Sequence, residues 1–154
     1  MKNNPGNIAA SIKARLMNFA RERKTTFNVI LARYANERFL YRLGISKYRD
    51  SFVLKGSNLF LIWQNGYPYR PTIDADFLVL GQSDKEYLKA VFAELCHLPV
   101  AEQDGLIFDS ESIKATEIRE EAQYGGTRIE LVGFLGSGKV YLQFDIGVGD
   151  AVTP

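Results

Sequence analysis

Apolar residues recur at helical spacing near the start of the chain. Ile8, Ile12, Leu16 and Phe19 form one stripe, while Lys13, Arg15, Arg21 and Arg23 fall elsewhere on the wheel. This spacing predicts an amphipathic helix over 8–23. Thr25 or Thr26 is placed to cap a second helix running to about Leu43, with Phe27, Ile30, Leu31, Tyr34 and Tyr41 on its apolar face and Gly44 at its end. The pattern then changes. Phe52, Val53 and Leu54 read as a strand within 49–55, and Gly56-Ser57 breaks it, with Ser57 capping a short helix from Asn58 to about Gln64. Two prolines and a glycine within Asn65–Pro71 exclude regular structure there. From Thr72 to Leu80 the period is two: Ile73, Ala75, Phe77 and Val79 share one face, and Thr72, Asp74, Asp76, Leu78 and Leu80 the other. Gly81 stops this strand, and Ser83 opens a helix to about Cys96.

Strand-like segments dominate the rest of the chain: a stretch within 106–118, then 128–135, then 139–146. Tyr124-Gly125-Gly126 and Gly136-Ser137-Gly138 separate them, the second short enough for an antiparallel hairpin. Two helices lead the chain and strand-like segments dominate its end, and the expected fold class is α+β. We read residues 1–154 as a single domain, with N-terminal helices over 1–45 and a core over 46–154.

Composition adds exclusions. At 46% hydrophobic and 24% charged, the chain is globular in character, and no apolar run approaches the roughly 18 residues that span a bilayer. No apolar segment follows Met-Lys-Asn-Asn-Pro-Gly, so the expectation is a cytoplasmic protein. One cysteine, Cys96, and one histidine, His97, exclude an internal disulfide and a Cys/His zinc cage, so oxygen must hold any metal. Net charge is +1, but residues 1–49 carry 11 Lys/Arg against Glu22 and Glu37, a net of +9, and residues 50–154 carry 8 Lys/Arg against 16 Asp/Glu, a net of −8. A basic arm precedes an acidic body. The arm is either the solvated face of two helices or a polyanion-binding surface in which Arg33, Arg38 and Arg42 contact RNA.

The chemistry concentrates in Lys55–Phe77 and in one later strand. In Lys139–Ile146, Asp145 lies between the apolar neighbours Phe144 and Ile146, as Asp74 and Asp76 lie between Ile73, Ala75 and Phe77. Three carboxylates on sheet strands repel one another unless a cation sits among them. Mg2+, or Mn2+, suits such a set, because it takes oxygen ligands and is completed by substrate phosphates. Gly56 lets backbone N–H groups approach a phosphate at a helix start, Ser57 adds a hydroxyl, and Lys55 and Arg70 are cations within reach of a triphosphate. Asp145 is placed both to hold an ion and to accept the proton of an attacking hydroxyl.

This order of Gly-Ser, Asp-x-Asp and a distant Asp resembles the minimal nucleotidyltransferases of the DNA polymerase beta type, although sixteen residues between Ser57 and Asp74 is longer than usual there. The segments Arg33–Leu43, Val53–Ser57, Arg70–Phe77, Tyr124–Arg128 and Phe144–Asp150 resemble the AbiEii/AbiGii toxin family more closely. The resemblance implies a minimal nucleotidyltransferase fold with a mixed, mostly antiparallel sheet. It also implies a metal-dependent toxin of a bacterial toxin-antitoxin or abortive infection system, which transfers a nucleotide from an NTP to an acceptor such as the 3′ end of tRNA and has a cognate antitoxin as partner. By motif, Asp74, Asp76 and Asp145 carry over as metal ligands, Gly56 and Ser57 as triphosphate contacts, and Arg70 as a further contact. Family members continue into a helical C-terminal half not included up to Pro154. The alternative expectation is therefore a domain that binds nucleotide or a partner protein without catalysis.

Overall fold

The computed structural model describes residues 5–54, 74–118 and 126–148, with side chains over 7–53, 77–118 and 126–148. Helix α1 spans Pro5–Glu22 and α2 spans Phe27–Ile45. A 3-10 turn, Arg49–Ser51, leads into strand β1, Phe52–Leu54. Strand β2, Asp74–Val79, is followed by α3, Lys85–Cys96, and then by β3, Leu106–Ile118, β4, Gly126–Leu135, and β5, Gly138–Val148. Among the described residues, three α-helices and a mixed five-stranded sheet make this an α+β fold, as expected. The short helix expected over Asn58–Gln64 and the loop after it lie outside the described residues.

Local chemistry explains the helix ends. α1 closes with Thr25 N–H on Ala20 O at 2.9 Å and Lys24 N–H on Arg21 O at 3.2 Å, a pairing that requires Lys24 to adopt a left-handed φ of 56°. Thr26 caps α2, its Oγ1 accepting from Val29 N–H at 3.3 Å. Gly44 does not end α2. The helix runs on to Ile45, and Ser46 terminates it by placing its own N–H and its Oγ on Leu43 O, at 3.1 and 2.7 Å. The cap of α3 is Asp84 rather than Ser83, its carboxylate accepting from Tyr87 N–H. Tyr41 is a second difference from expectation: it is 40% exposed, with the Arg38 guanidinium 4.4 Å from its ring centroid. The buried stripe of α2 is Leu31, Ala35, Phe39 and Leu43, and two residues beyond Phe39 turns Tyr41 to the opposite side of the helix.

The strand order is β1-β2-β5-β4-β3, with β2 and β5 parallel and the other pairs antiparallel. One face of the sheet packs on α2 and α3 through an aromatic cluster in which the Phe39 ring lies 5.1–5.6 Å from the rings of Phe92, Phe108 and Phe144. Gly133 is needed here: a Cβ would stand 2.9 Å from the Phe108 ring. Alternation along β4 and β5 buries Ile129, Leu131, Leu142, Phe144 and Ile146 on this face and leaves Arg128, Glu130, Tyr141, Gln143 and Asp145 on the other. Gly136, with φ 61°, and Ser137 form the two-residue turn joining β4 to β5, with Leu135 opposite Gly138. No helix among the described residues is long and apolar enough to cross a membrane.

Candidate active site

The parallel pairing of β2 with β5 brings the predicted carboxylate positions together. Asp76 lies in register with Asp145, and Asp74 with Gln143, two residues along. Neighbouring strands run about 4.8 Å apart, so the Asp76 and Asp145 backbones are as close as two strands allow. The chain passes through α3, β3 and β4 before β5 returns to lie beside β2. Of the other predicted site residues, Lys55, Gly56, Ser57 and Arg70 lie outside the described residues, as do the side chains of Asp74 and Asp76.

Asp145 is described in full, and it has a cationic neighbour that the predicted site did not include. Arg128, opposite it on β4, donates from Nε to Oδ1 at 2.9 Å and from its terminal nitrogen Nη2 to Oδ2 at 3.2 Å. The contact is two-pronged, the geometry in which a guanidinium matches a carboxylate best. Asp145 is about one-quarter exposed and Arg128 two-fifths. The pair therefore faces solvent on the open side of the sheet, where a ligand can reach it. A sequence signal for Arg128 did exist. In a hairpin closed by Gly136-Ser137, partners are found by counting outward from the turn, and the count from Leu135 and Gly138 arrives at Arg128 and Asp145.

The predicted donors are carboxylates, two at positions in adjacent register and a third two residues along, and oxygen ligands of this kind suit a hard divalent cation. Among the described residues no three acidic, His or Cys side chains converge. His97 takes no part; it caps α3, and its Nε2 lies 2.9 Å from Ser110 Oγ.

The arginines of α2 depart from expectation. Arg42 is 4% exposed and grips Asp104 through Nη1–Oδ2 at 2.8 Å and Nη2–Oδ1 at 3.2 Å, while Arg38 Nε donates to Oδ2 at 2.8 Å. Leu106 N–H and the Asp104 side chain close the loop before β3, and Tyr34 Oη donates to Asp104 O at 2.8 Å. Burial pushes the Asp104 carboxyl up, but the hydrogen bonds from Arg42 and Arg38 outweigh it and hold the carboxyl below its ordinary value. Arg38 and Arg42 thus tie α2 to the start of β3 rather than presenting charge to a polyanion.

The family model for the nucleotidyl transferase AbiEii toxin, type IV toxin-antitoxin system, matches residues 38–154, a span that includes β1, β2 and β5 and all three aspartates. The chain belongs to the AbiEii family. No curated protein matches it closely enough to add a nearer relative. AbiEii membership makes the chain a nucleotidyltransferase of a toxin-antitoxin system, with an NTP as substrate and an antitoxin as partner. The AbiEii match begins at Arg38, inside α2, so that α1 and the first half of α2 stand outside it.

Proposed function

We propose that this chain transfers a nucleoside monophosphate from an NTP to a hydroxyl of an RNA acceptor, such as the 3′ end of tRNA, with Asp74, Asp76 and Asp145 holding Mg2+ or Mn2+. The observation that supports this most directly is the parallel register of Asp76 with Asp145. It gathers positions separated by most of the catalytic region into one short row on adjacent strands. Bound there, the cation supplies charge neutralisation and Lewis acidity at the phosphates. The remaining chemistry belongs to the chain. The acceptor oxygen attacks the α-phosphorus, the bond from that phosphorus to the bridging oxygen of the β-phosphate breaks, and pyrophosphate departs; Asp145 takes the hydroxyl proton. Gly56 and Ser57, with Lys55 and Arg70, carry the triphosphate by motif. Arg128 fixes the Asp145 carboxylate through two hydrogen bonds and offsets part of the repulsion among the three acids. Cytoplasmic action accords with this reading, since NTPs and tRNA are found there.

The test is label transfer from α-labelled NTPs to total tRNA in the presence and absence of Mg2+. Metal-dependent labelling should appear with the full chain and fall by at least about a hundredfold in Asp76→Asn and Asp145→Asn, as loss of a charge-stabilising group at the reacting phosphate implies. Labelling that survives either substitution sinks the assignment. Mg2+-dependent thermal stabilisation by NTP with no transfer to any RNA supports the alternative of a nucleotide-binding domain without catalysis.

A further inference from the structure

The open face of the sheet carries a groove of about 510 Å3 directly beside the carboxylate row. Its walls include Ser112 and Lys114 from β3, Glu130 and Val132 from β4, and Tyr141 and Gln143 from β5. Gln143 is the residue in register with Asp74, so the groove begins where the row ends. Tyr141 stands in the middle of a strand, paired on β4 with Val132, yet is 62% exposed. A tyrosine ring so exposed at the centre of a sheet face keeps a large part of its apolar surface open. The Lys139 ammonium lies 5.4 Å from its ring centroid, adding a cation at the rim.

We infer that this groove receives the single-stranded acceptor, with Tyr141 as the platform on which one of its bases stacks. The inference rests on the proposed transfer reaction and adds the place of its second substrate. Strand order gives the direction. The groove spans β5, β4 and β3, which lie on the side of β2 away from β1. The acceptor therefore approaches the carboxylate row from the β5 side. The groove meets the row at Gln143, beside Asp74 and two residues before Asp145 on β5. Tyr141 is four residues from Asp145 along one strand face, about 13 Å. That distance sets Tyr141 under a base upstream of the reacting hydroxyl rather than under the terminal nucleotide. Gln143 and Glu130, in register with each other, offer donors and acceptors to base edges, and Lys114 and Lys139 offer cations to the backbone. Stacking on an open aromatic tolerates any base, so the groove is a subsite for strand position rather than for sequence.

The experiment measures binding of a fluorescein-labelled single-stranded RNA octamer with a free 3′ hydroxyl to the full chain by anisotropy. Tyr141→Ala should weaken binding roughly five- to a hundredfold, the loss expected for one stacked base, and Tyr141→Phe should retain it. NTP affinity from thermal shift should be unchanged in both, and circular dichroism confirms that both variants are folded. In the transfer assay, Tyr141→Ala should raise the KM for the acceptor while leaving the KM for NTP alone. Unchanged octamer affinity in Tyr141→Ala overturns the groove assignment, and so does a parallel loss of NTP binding. Should Tyr141→Ala alter self-association instead of octamer binding, the exposed ring is a protein contact and the inference fails. The two readings fail separately: wild-type transfer with octamer binding indifferent to Tyr141 removes only the groove, whereas octamer binding that depends on Tyr141, with no transfer under any condition, removes only the reaction.

Discussion

Replacing Asp104 by alanine should remove a large part of the stability of this domain. The carboxylate is 5% exposed and accepts four hydrogen bonds: one from Arg38, two from Arg42 and one from Leu106 N–H, at 2.8–3.2 Å. Its loss leaves the Arg42 guanidinium, itself 5% exposed, buried against the Phe108 ring with no counter-charge. Breaking a buried ion pair from one side costs about 3–5 kcal/mol, against a total stability of about 5–15 kcal/mol for a domain. Urea denaturation followed by circular dichroism measures the difference directly. The double variant Asp104→Leu with Arg42→Met should recover much of the loss, because an apolar pair of similar volume removes both buried charges together. The sign of the pH dependence comes from the same geometry. Because the folded carboxyl is held below its ordinary value of 3.8, its contribution is present above that value and is lost as pH falls through the lower, folded one. The stability gap between the wild type and Asp104→Asn should therefore be constant near neutrality and shrink below about pH 4. A destabilisation below about 1 kcal/mol in Asp104→Ala, or a gap indifferent to acid, would refute the view that this cluster is a buried structural clamp.

Three further outcomes are expected. Lys24→Gly should stabilise the chain by about 0.5–1 kcal/mol in the same assay, since a left-handed φ of 56° strains any residue with a Cβ. Thr26→Ala should cost about 1 kcal/mol through loss of the cap on Val29 N–H, while Thr26→Asp should cost little. Burial pushes the Cys96 thiol up to about 12, so a disulfide reagent at pH 8 should leave it unmodified in the folded chain and label it promptly in urea; fast labelling without denaturant contradicts this packing.

The arginines show how far composition misleads about location. A net charge of +9 over 49 residues reads as a surface for polyanions, but two of its members are spent inside the protein on Asp104, a residue from the acidic half. Nothing in the pattern of α2 distinguishes Arg42 from an exposed arginine until the loop before β3 is laid against it. Tyr41 departs from its expected place for a simpler reason: it is apolar in part, but two residues beyond Phe39 it falls on the side of α2 opposite the buried stripe.

Much else was legible along the chain. The cap at Thr26, the period-two burial of Phe77 and Val79, and the two-residue hairpin at Gly136-Ser137 are decided by neighbours a few positions apart, where side-chain period and turn chemistry act directly. The hairpin even determines, by counting, that Arg128 meets Asp145, because an antiparallel register is inherited from its turn. The β2–β5 pairing has no turn to inherit from. Parallel strands are joined by a crossover, here containing α3, β3 and β4, so their register depends on packing between distant residues, such as the Phe77 ring of β2 6.3 Å from the Phe144 ring of β5 within the cluster that includes Phe39 and Phe92. The sequence by itself determined that three aspartates stand on strands. That Asp76 and Asp145 stand side by side was decided by the tertiary structure, through long-range packing that no local pattern encodes.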